Sequence, residues 1–235
     1  MPHRRVLRSD IMKRVGIVGF GNMGEAVAGG LSGTHRSVEL RVFDPDKTRA
    51  AAARDRFDAR TLDTPEDVFR GSDITVLAIK PQVLDSFFAS FDSTASKRAR
   101  CVSVIAGVPV ATYKTALQTD NVVRFMPNLA ATVGKALVGI CYDEPIESTT
   151  LEYAFSIADA MGERLVVPER LMSAVTGVSG SGIAYVFSLL HAMALGGTQA
   201  GLPYRDSLQA ALTALEGAAA LVRERKEHPI ELLSK

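Results

Sequence analysis

Over the first two-thirds of the chain, short β-rich apolar runs alternate with segments of helical spacing. The runs fall at residues 15–18, 38–43, 74–79, 101–105 and 122–125, with helical stretches at 23–31, 46–56, 65–70, 82–91 and 110–118. Several runs are apolar without interruption, the pattern of parallel strands covered on both faces. Alternating β and α segments predict an open, mostly parallel sheet with right-handed crossovers. A further pair of strands, at 136–141 and 164–167, brackets a helix over 146–161. From Pro168 onward the strand pattern stops. Pro168 and Pro203 suit the first turn of a helix. Leu208, Ala211, Leu212, Leu215, Ala219 and Val222 then recur at helical spacing until the charged run 223–227.

The polar positions add a second signal, because residues 171–204 contain no Asp, Glu, Lys or Arg. Within them, residues 183–195 are apolar on nearly every face, and such a helix is buried all round, in a core, a partner or a membrane. A spanning helix needs ~20 apolar residues, more than this run offers. Gly177, Gly180 and Gly182 before it, and Gly196, Gly197 and Gly201 after it, mark turns or close packing. The expectation is burial between subunits of a homodimer or larger homo-oligomer, with no membrane partner.

Composition narrows the classes further. The chain has 235 residues, 47% of them hydrophobic, and a formal net charge of +1. That balance gives no electrostatic case for nucleic acid or an anionic membrane. Aromatics are scarce and Trp is absent, so base-stacking platforms are not expected. Cys101 and Cys141 sit in strand-like runs and read as buried free thiols, which fits a reducing, cytoplasmic setting. The four histidines, His3, His35, His191 and His228, have no metal-ligand spacing, so no metal is expected. Residues 1–12 carry arginines without the apolar run of a signal peptide and read as a disordered extension, Met12 being where a first strand begins.

Run 15–18 leads into Gly19-Phe20-Gly21-Asn22-Met23-Gly24, and a helical stretch follows. Gly-x-Gly-x-x-Gly is a weak signal alone, but strand before and helix after is the context it requires. Gly19 serves a tight turn, Gly21 lets backbone approach a pyrophosphate, and Gly24 lets helix and strand pack closely. The helix start then offers N–H groups to phosphate. Asp44, at the end of the second run, stands where a carboxylate grips a ribose 2′-hydroxyl, which leans toward NADH. Asp44-Pro45-Asp46 equally suits a helix cap, and Arg41 or Arg49 could meet a 2′-phosphate. The fold class expected is α/β: an N-terminal Rossmann-type doubly wound, mostly parallel sheet over 13–164, plus a C-terminal all-α dimerisation domain over 165–235.

Four further segments bear on identity. They are Val76-Leu-Ala-Ile-Lys-Pro-Gln82, Ser103-Val-Ile-Ala-Gly-Val108, Val122-Val-Arg-Phe-Met-Pro-Asn128 leading into Ala131-Thr-Val-Gly134, and Ala174-Val-Thr-Gly-Val-Ser-Gly-Ser-Gly-Ile-Ala-Tyr185. In this order the chain resembles the pyrroline-5-carboxylate reductases over about Lys13 to Leu232. The resemblance implies NAD(P)H-dependent reduction of the cyclic imine 1-pyrroline-5-carboxylate to L-proline. It implies that Ala78, Ile79, Lys80, Pro81 and Gln82, with Ala106 and Gly107, line the cofactor's ribose and nicotinamide. Asn128 would stand near the reacting ring, and Ser181 and Gly182 near the substrate. Pro81 and Pro127 also read as simple strand stops, and Lys80 as a solvated turn residue. No catalytic side chain is assigned.

The chain departs from the family pattern at three places. Ile183 stands where a Pro is usual after Gly-Ser-Gly, and His191 where a carboxylate is usual. The family pattern runs through His228-Pro229 into a Gly- and Ser/Thr-containing substrate loop that does not follow here before Lys235. Two readings of that difference are an incomplete sequence and a diverged member with a rebuilt or missing substrate site. The alternative function is therefore a non-catalytic or regulatory dinucleotide-binding dimer. A β-hydroxyacid dehydrogenase ranks lower, because the Gly-Ser-Gly segment lacks the helix-borne Lys such enzymes use as an acid.

Overall fold

The computed structural model describes residues 12–34 and 37–234. Of the extension expected over 1–12, residues 1–11 lie outside them, whereas Met12 is buried in the core and belongs to the folded unit. The described strands are β1 (Arg14–Val18), β2 (Glu39–Phe43), β3 (Arg60–Thr61), β4 (Ile74–Leu77), β5 (Cys101–Ser103), β6 (Val122–Met126), β7 (Ala136–Tyr142) and β8 (Gly162–Val166). The helices are α1 (Asn22–Thr34), α2 (Lys47–Phe57), α3 (Pro65–Gly71), α4 (Leu84–Ser90), α5 (Val110–Leu117), α6 (Ser148–Met161), α7 (Met172–Val175), α8 (Gly182–Gln199), α9 (Tyr204–Arg225) and α10 (Pro229–Leu233).

The strands form one sheet in the order β3-β2-β1-β4-β5-β6-β7-β8. Every pairing is parallel except β6 with β7. Residues 127–135 between those two are too few for a parallel crossover of about a dozen residues, so the chain turns back. The doubly wound, mostly parallel sheet expected from the alternating pattern is therefore present.

Strand side chains alternate between two cores. Val15, Ile17, Val76, Val102, Val123 and Phe125 face α1, α2 and α6, meeting Val27, Leu31, Ala53, Ile157 and Met161. Val18, Leu77, Cys101 and Val122 face the other layer, meeting Val68, Leu84, Val110, Tyr113, Leu117 and Met172. Burial on both faces is why these runs carry no polar alternation. Each fully buried Ile, Leu or Val in them contributes roughly 1.5–3 kcal/mol.

Three details depart from the sequence pattern. β3 is a two-residue pairing of polar Arg60 and Thr61 with β2, with no periodicity to announce it. β4 and β5 stop at Leu77 and Ser103, so residues 78–79 and 104–105 leave the sheet as loops. The described residues also divide into two compact units between Ser181 and Gly182, not at 164/165. The sheet unit extends that far because Glu169 pairs with Arg124, Met172 packs in the second core, and Val175 abuts Gly139.

In the second unit α8 and α9 pack on each other, with Gly197 close against Ser207 and the His191 Nδ1 atom 3.4 Å from the Tyr204 hydroxyl. Ala194 is the buried residue of α8. Tyr185, Phe187 and Leu189 remain 66%, 51% and 52% exposed in the single chain. The run Glu169–Gln199 is long and apolar enough to cross a membrane by length and composition alone.

Candidate dinucleotide site

β1, β2, β4, β5 and β6 run in one direction, so the segments following them gather at one edge of the sheet. Ligands of open α/β sheets lie beyond that carboxyl edge. Gly19 leaves β1 with φ +93°, a conformation L side chains rarely adopt. Its N–H donates to Phe43 O at 2.8 Å, and a Cβ there would lie 2.8 Å from the Ala78 carbonyl. The turn is thus wedged between the ends of β2 and β4.

The Glu25 N–H donates to Gly21 O at 2.9 Å, the first bond of α1. The amides of Asn22, Met23 and Gly24 precede that bond and lack intrahelical acceptors, which makes the helix start a phosphate seat. A Cβ on Gly21 would meet nothing within 4 Å, so the loop faces open space where a ligand can approach backbone. A Cβ on Gly24 would strike the Gly19 carbonyl oxygen, so helix and turn touch there. The Phe20 ring is buried edge-on to Phe57, with centroids 5.9 Å apart, so Phe20 offers the site its backbone rather than its side chain.

Asp44 is 9% exposed. Its Oδ2 accepts from Phe20 N at 2.7 Å and its Oδ1 from Asp46 N at 2.9 Å. The carboxylate therefore ties the glycine turn to the end of β2 and the start of α2. Arg49 Nη1 stands 4.0 Å from Asp44 Oδ2, with its side chain half exposed.

After β4, Ala78 N donates to Val18 O at 2.8 Å, and Pro81–Val83 form a 3₁₀ turn. Ala78 and Ile79 are half-buried, whereas Lys80, Pro81 and Gln82 are exposed. After β5, Ala106 and Gly107 are exposed, and Gly107 has φ +81° with nothing within 4 Å of a Cβ. The structure brings these segments and the glycine turn to the same edge.

Asn128 carries more than the sequence suggests. Its Oδ1 accepts from Ala130 N at 3.0 Å, capping the 3₁₀ turn Leu129–Val133. Its Nδ2 donates to Ser179 O at 3.2 Å and Ser179 Oγ at 3.1 Å. Ser179 lies in a π-helical turn, Thr176–Gly180, closed by Ser181 N donating to Thr176 O at 2.7 Å. Single π turns recur at functional sites. Ser181 ends this turn exposed, and Gly182 opens α8.

A cavity of about 620 Å³ lies elsewhere, at the amino ends of β5 and β6, lined by Lys97, Arg98, Lys114, Asp120 and Glu147 among others. Lys114 donates to Asp143 O at 2.9 Å, and Glu147 pairs with Arg100 at 2.7 Å. It shares no residue with the glycine-turn edge.

Residues 169–235 match the family described as pyrroline-5-carboxylate reductase dimerisation, and residues 14–107 match NADP oxidoreductase coenzyme F420-dependent. The pyrroline-5-carboxylate reductase of Synechocystis sp. is 36% identical over 224 residues, covering 94% of this chain and 84% of that protein. That of Methanosarcina acetivorans is 34% identical over 229 residues, covering 94% and 83%. The solved pyrroline carboxylate reductase of Plasmodium falciparum, with NADP bound, superposes with a TM-score of 0.83 at 24% identity, covering 94% of this chain and 82% of that one, which speaks for the fold. Taken with the glycine turn and the strand-end segments, identity of this extent places the chain in the pyrroline-5-carboxylate reductase family.

Proposed function

We propose that the protein reduces 1-pyrroline-5-carboxylate to L-proline with a reduced nicotinamide dinucleotide, acting as a homodimer or larger homo-oligomer in the cytoplasm. The observation that carries this reading is the convergence of the glycine turn and the segments after β4, β5 and β6 on one sheet edge. When bound, the dinucleotide supplies a hydride from nicotinamide C4 to the imine carbon. The chain's own residues bind and orient. The helix-start amides of Asn22, Met23 and Gly24 hold the pyrophosphate, with Gly19, Phe20 and Gly21 shaping its approach. Ala78, Ile79, Lys80, Pro81 and Gln82 flank the ribose, and Ala106 and Gly107 the nicotinamide. Asn128 acts at the substrate side through Ser179, with Ser181 and Gly182 at the turn that follows. The functional division runs near 164/165, with residues 13–164 serving the dinucleotide and 165–235 serving association.

Both Asp44 oxygens are engaged by backbone amides, which weakens the lean toward NADH that a free carboxylate would give. The half-exposed guanidinium of Arg49 beside it suits a 2′-phosphate, so the proposed dinucleotide is NADPH, with NADH as the poorer substrate.

The test is oxidation of NADPH and of NADH by purified protein when the imine is added. Turnover with a higher kcat/KM for NADPH, reversed in R49A, supports the reading. Tight dinucleotide binding with no turnover on either cofactor refutes it and leaves the non-catalytic dimer.

A further inference from the structure

The sheet face under α5 holds a polar row that the proposed reaction does not use. Ser103, Arg124 and Cys141 stand side by side, because Arg124 pairs with Ser103 on β5 and with Cys141 on β7. A guanidinium in a strand otherwise built of Val122, Val123, Phe125 and Met126 needs a reason, since an unpaired buried charge costs several kcal/mol. Arg124 is 8% exposed, and its Nη1 reaches Glu169 Oε1 at 2.9 Å.

That same oxygen accepts from the backbone N–H of Val110 at 2.9 Å. Val110 opens α5, and the residue before it, Pro109, has no side chain that can cap a helix. The orphan amide needs an acceptor, and the positive end of the helix favours a carboxylate. The cap is supplied from 59 residues away in sequence. Arg124 fixes the carboxylate and thereby fixes the cap.

Both ends of this bond lead to the site. The loop of residues 104–109 spans from β5 to the capped amide, with Ile105 and Val108 packed on the second core and its tip at Gly107 open, a Cβ there meeting nothing within 4 Å. In the other direction, Glu169 opens the 3₁₀ turn Glu169–Leu171, which passes through α7 to the turn whose Ser179 binds Asn128. We infer that Glu169 is a positioning residue, whose bond to the Val110 amide sets the loop against the nicotinamide and couples it to the Thr176–Gly180 turn. The inference rests on the reading that Ala106 and Gly107 line the nicotinamide.

Removing Glu169 alone strands the Arg124 charge, so the informative comparison removes the ion pair in both variants. R124M/E169Q keeps an acceptor for the Val110 amide, and R124M/E169M does not. Three quantities are measured in each: NADPH affinity by fluorescence titration, kcat and KM for the imine, and Tm. R124M/E169Q is expected near the wild-type affinity and kcat. R124M/E169M is expected to bind NADPH about ten-fold more weakly, the scale of one buried hydrogen bond, with kcat also reduced. Equal affinity and kcat in the two variants, whatever their Tm, overturns the inference, since a purely structural cap moves Tm alone. If either fails to fold, E169D replaces the pair. It keeps the charge with one methylene less reach, and a wild-type NADPH affinity there overturns the inference as well. Absence of imine turnover in the wild type would sink the proposed reaction, while the affinity comparison would still decide the role of Glu169.

Discussion

Gly21 and Gly24 stand three residues apart in one motif, yet the structure assigns them opposite sensitivities. A Cβ on Gly24 strikes the Gly19 carbonyl oxygen and lies 3.2 Å from the Gly19 carbonyl carbon and 3.3 Å from Ile17 Cγ2. Two of those atoms are backbone in a turn pinned to β2 and β4, so no rotamer change relieves the contact. Overpacking of this kind costs about 1–3 kcal/mol. At roughly 2–4 °C per kcal/mol for a chain of this size, G24A should lower Tm by about 2–12 °C. G21A differs, because its Cβ meets no atom and Gly21 is not among the positive-φ residues. Alanine there restricts the unfolded chain and stabilises by ~0.4–1 kcal/mol, so Tm should hold or rise slightly. In the proposed binding mode the same Cβ stands where the pyrophosphate approaches the amides, and losing one such charge-assisted bond costs roughly 1.5–3 kcal/mol. NADPH affinity of G21A should therefore fall about 10- to 100-fold. Scanning calorimetry and fluorescence titration on both variants decide the matter. An unchanged NADPH affinity in G21A refutes the phosphate seat, and an unchanged Tm in G24A refutes the packing argument.

Burial alone would raise the Asp73 carboxyl, but hydrogen bonds from the Arg14 guanidinium and the Arg14 and Lys13 amides outweigh it and hold the group below the ordinary carboxylate range. Its stabilisation is present above the unfolded pKa of ~3.9 and lost as pH falls through the lower folded value, so the Tm gap between wild type and D73N should close on acidification. A gap constant with pH would be the wrong outcome. Burial first, and then Glu169, pushes the Cys141 thiol up to about 12, and burial raises Cys101 also. Neither should react with a disulfide reagent at mild alkaline pH until urea is added, and a fast-reacting thiol in the native protein would contradict this. Tm should fall on hundred-fold dilution, and L189E should dissociate the oligomer in sedimentation. A wild type that sediments as a stable monomer with dilution-independent Tm would refute the association.

The sheet was legible because its strands are covered on both faces. The runs at 15–18, 74–79 and 122–125 have no polar alternation, the pattern of strands with helices packed on both faces of the sheet. β3 was illegible for the converse reason, since Arg60 and Thr61 join the edge by backbone pairing with no apolar side chain to mark it. The glycine turn was legible residue by residue, because the steric demands at Gly19 and Gly24 are local. Asn128 was placed at the right edge but for an incomplete reason. Its partner Ser179 is 51 residues away, and no spacing rule joins a strand-end amide to a π turn. The Arg124–Glu169–Val110 link was missed although one sign was present: a charged residue amid an apolar run. Such a residue demands a buried partner, but sequence does not say which carboxylate supplies it.

The uncharged stretch shows the same limit on a larger scale, because periodicity reports that a face is buried without saying by what. α8 is apolar all round, yet within the single chain Ala194 is its buried residue, and Tyr185, Phe187, Leu189, Met193 and Leu195 are left largely exposed. Completing the burial of a side chain that is already half covered gains about 1 kcal/mol, half the value for full burial. Five such residues are worth several kcal/mol, a large share of the 5–15 kcal/mol that stabilises a typical domain. A helix of this composition is therefore not merely compatible with a partner surface. If that face is covered by the proposed second copy, folding and association become linked in one equilibrium. That equilibrium is the reason Tm should depend on protein concentration. A charge placed at Leu189 then acts through lost association rather than through any contact inside its own chain.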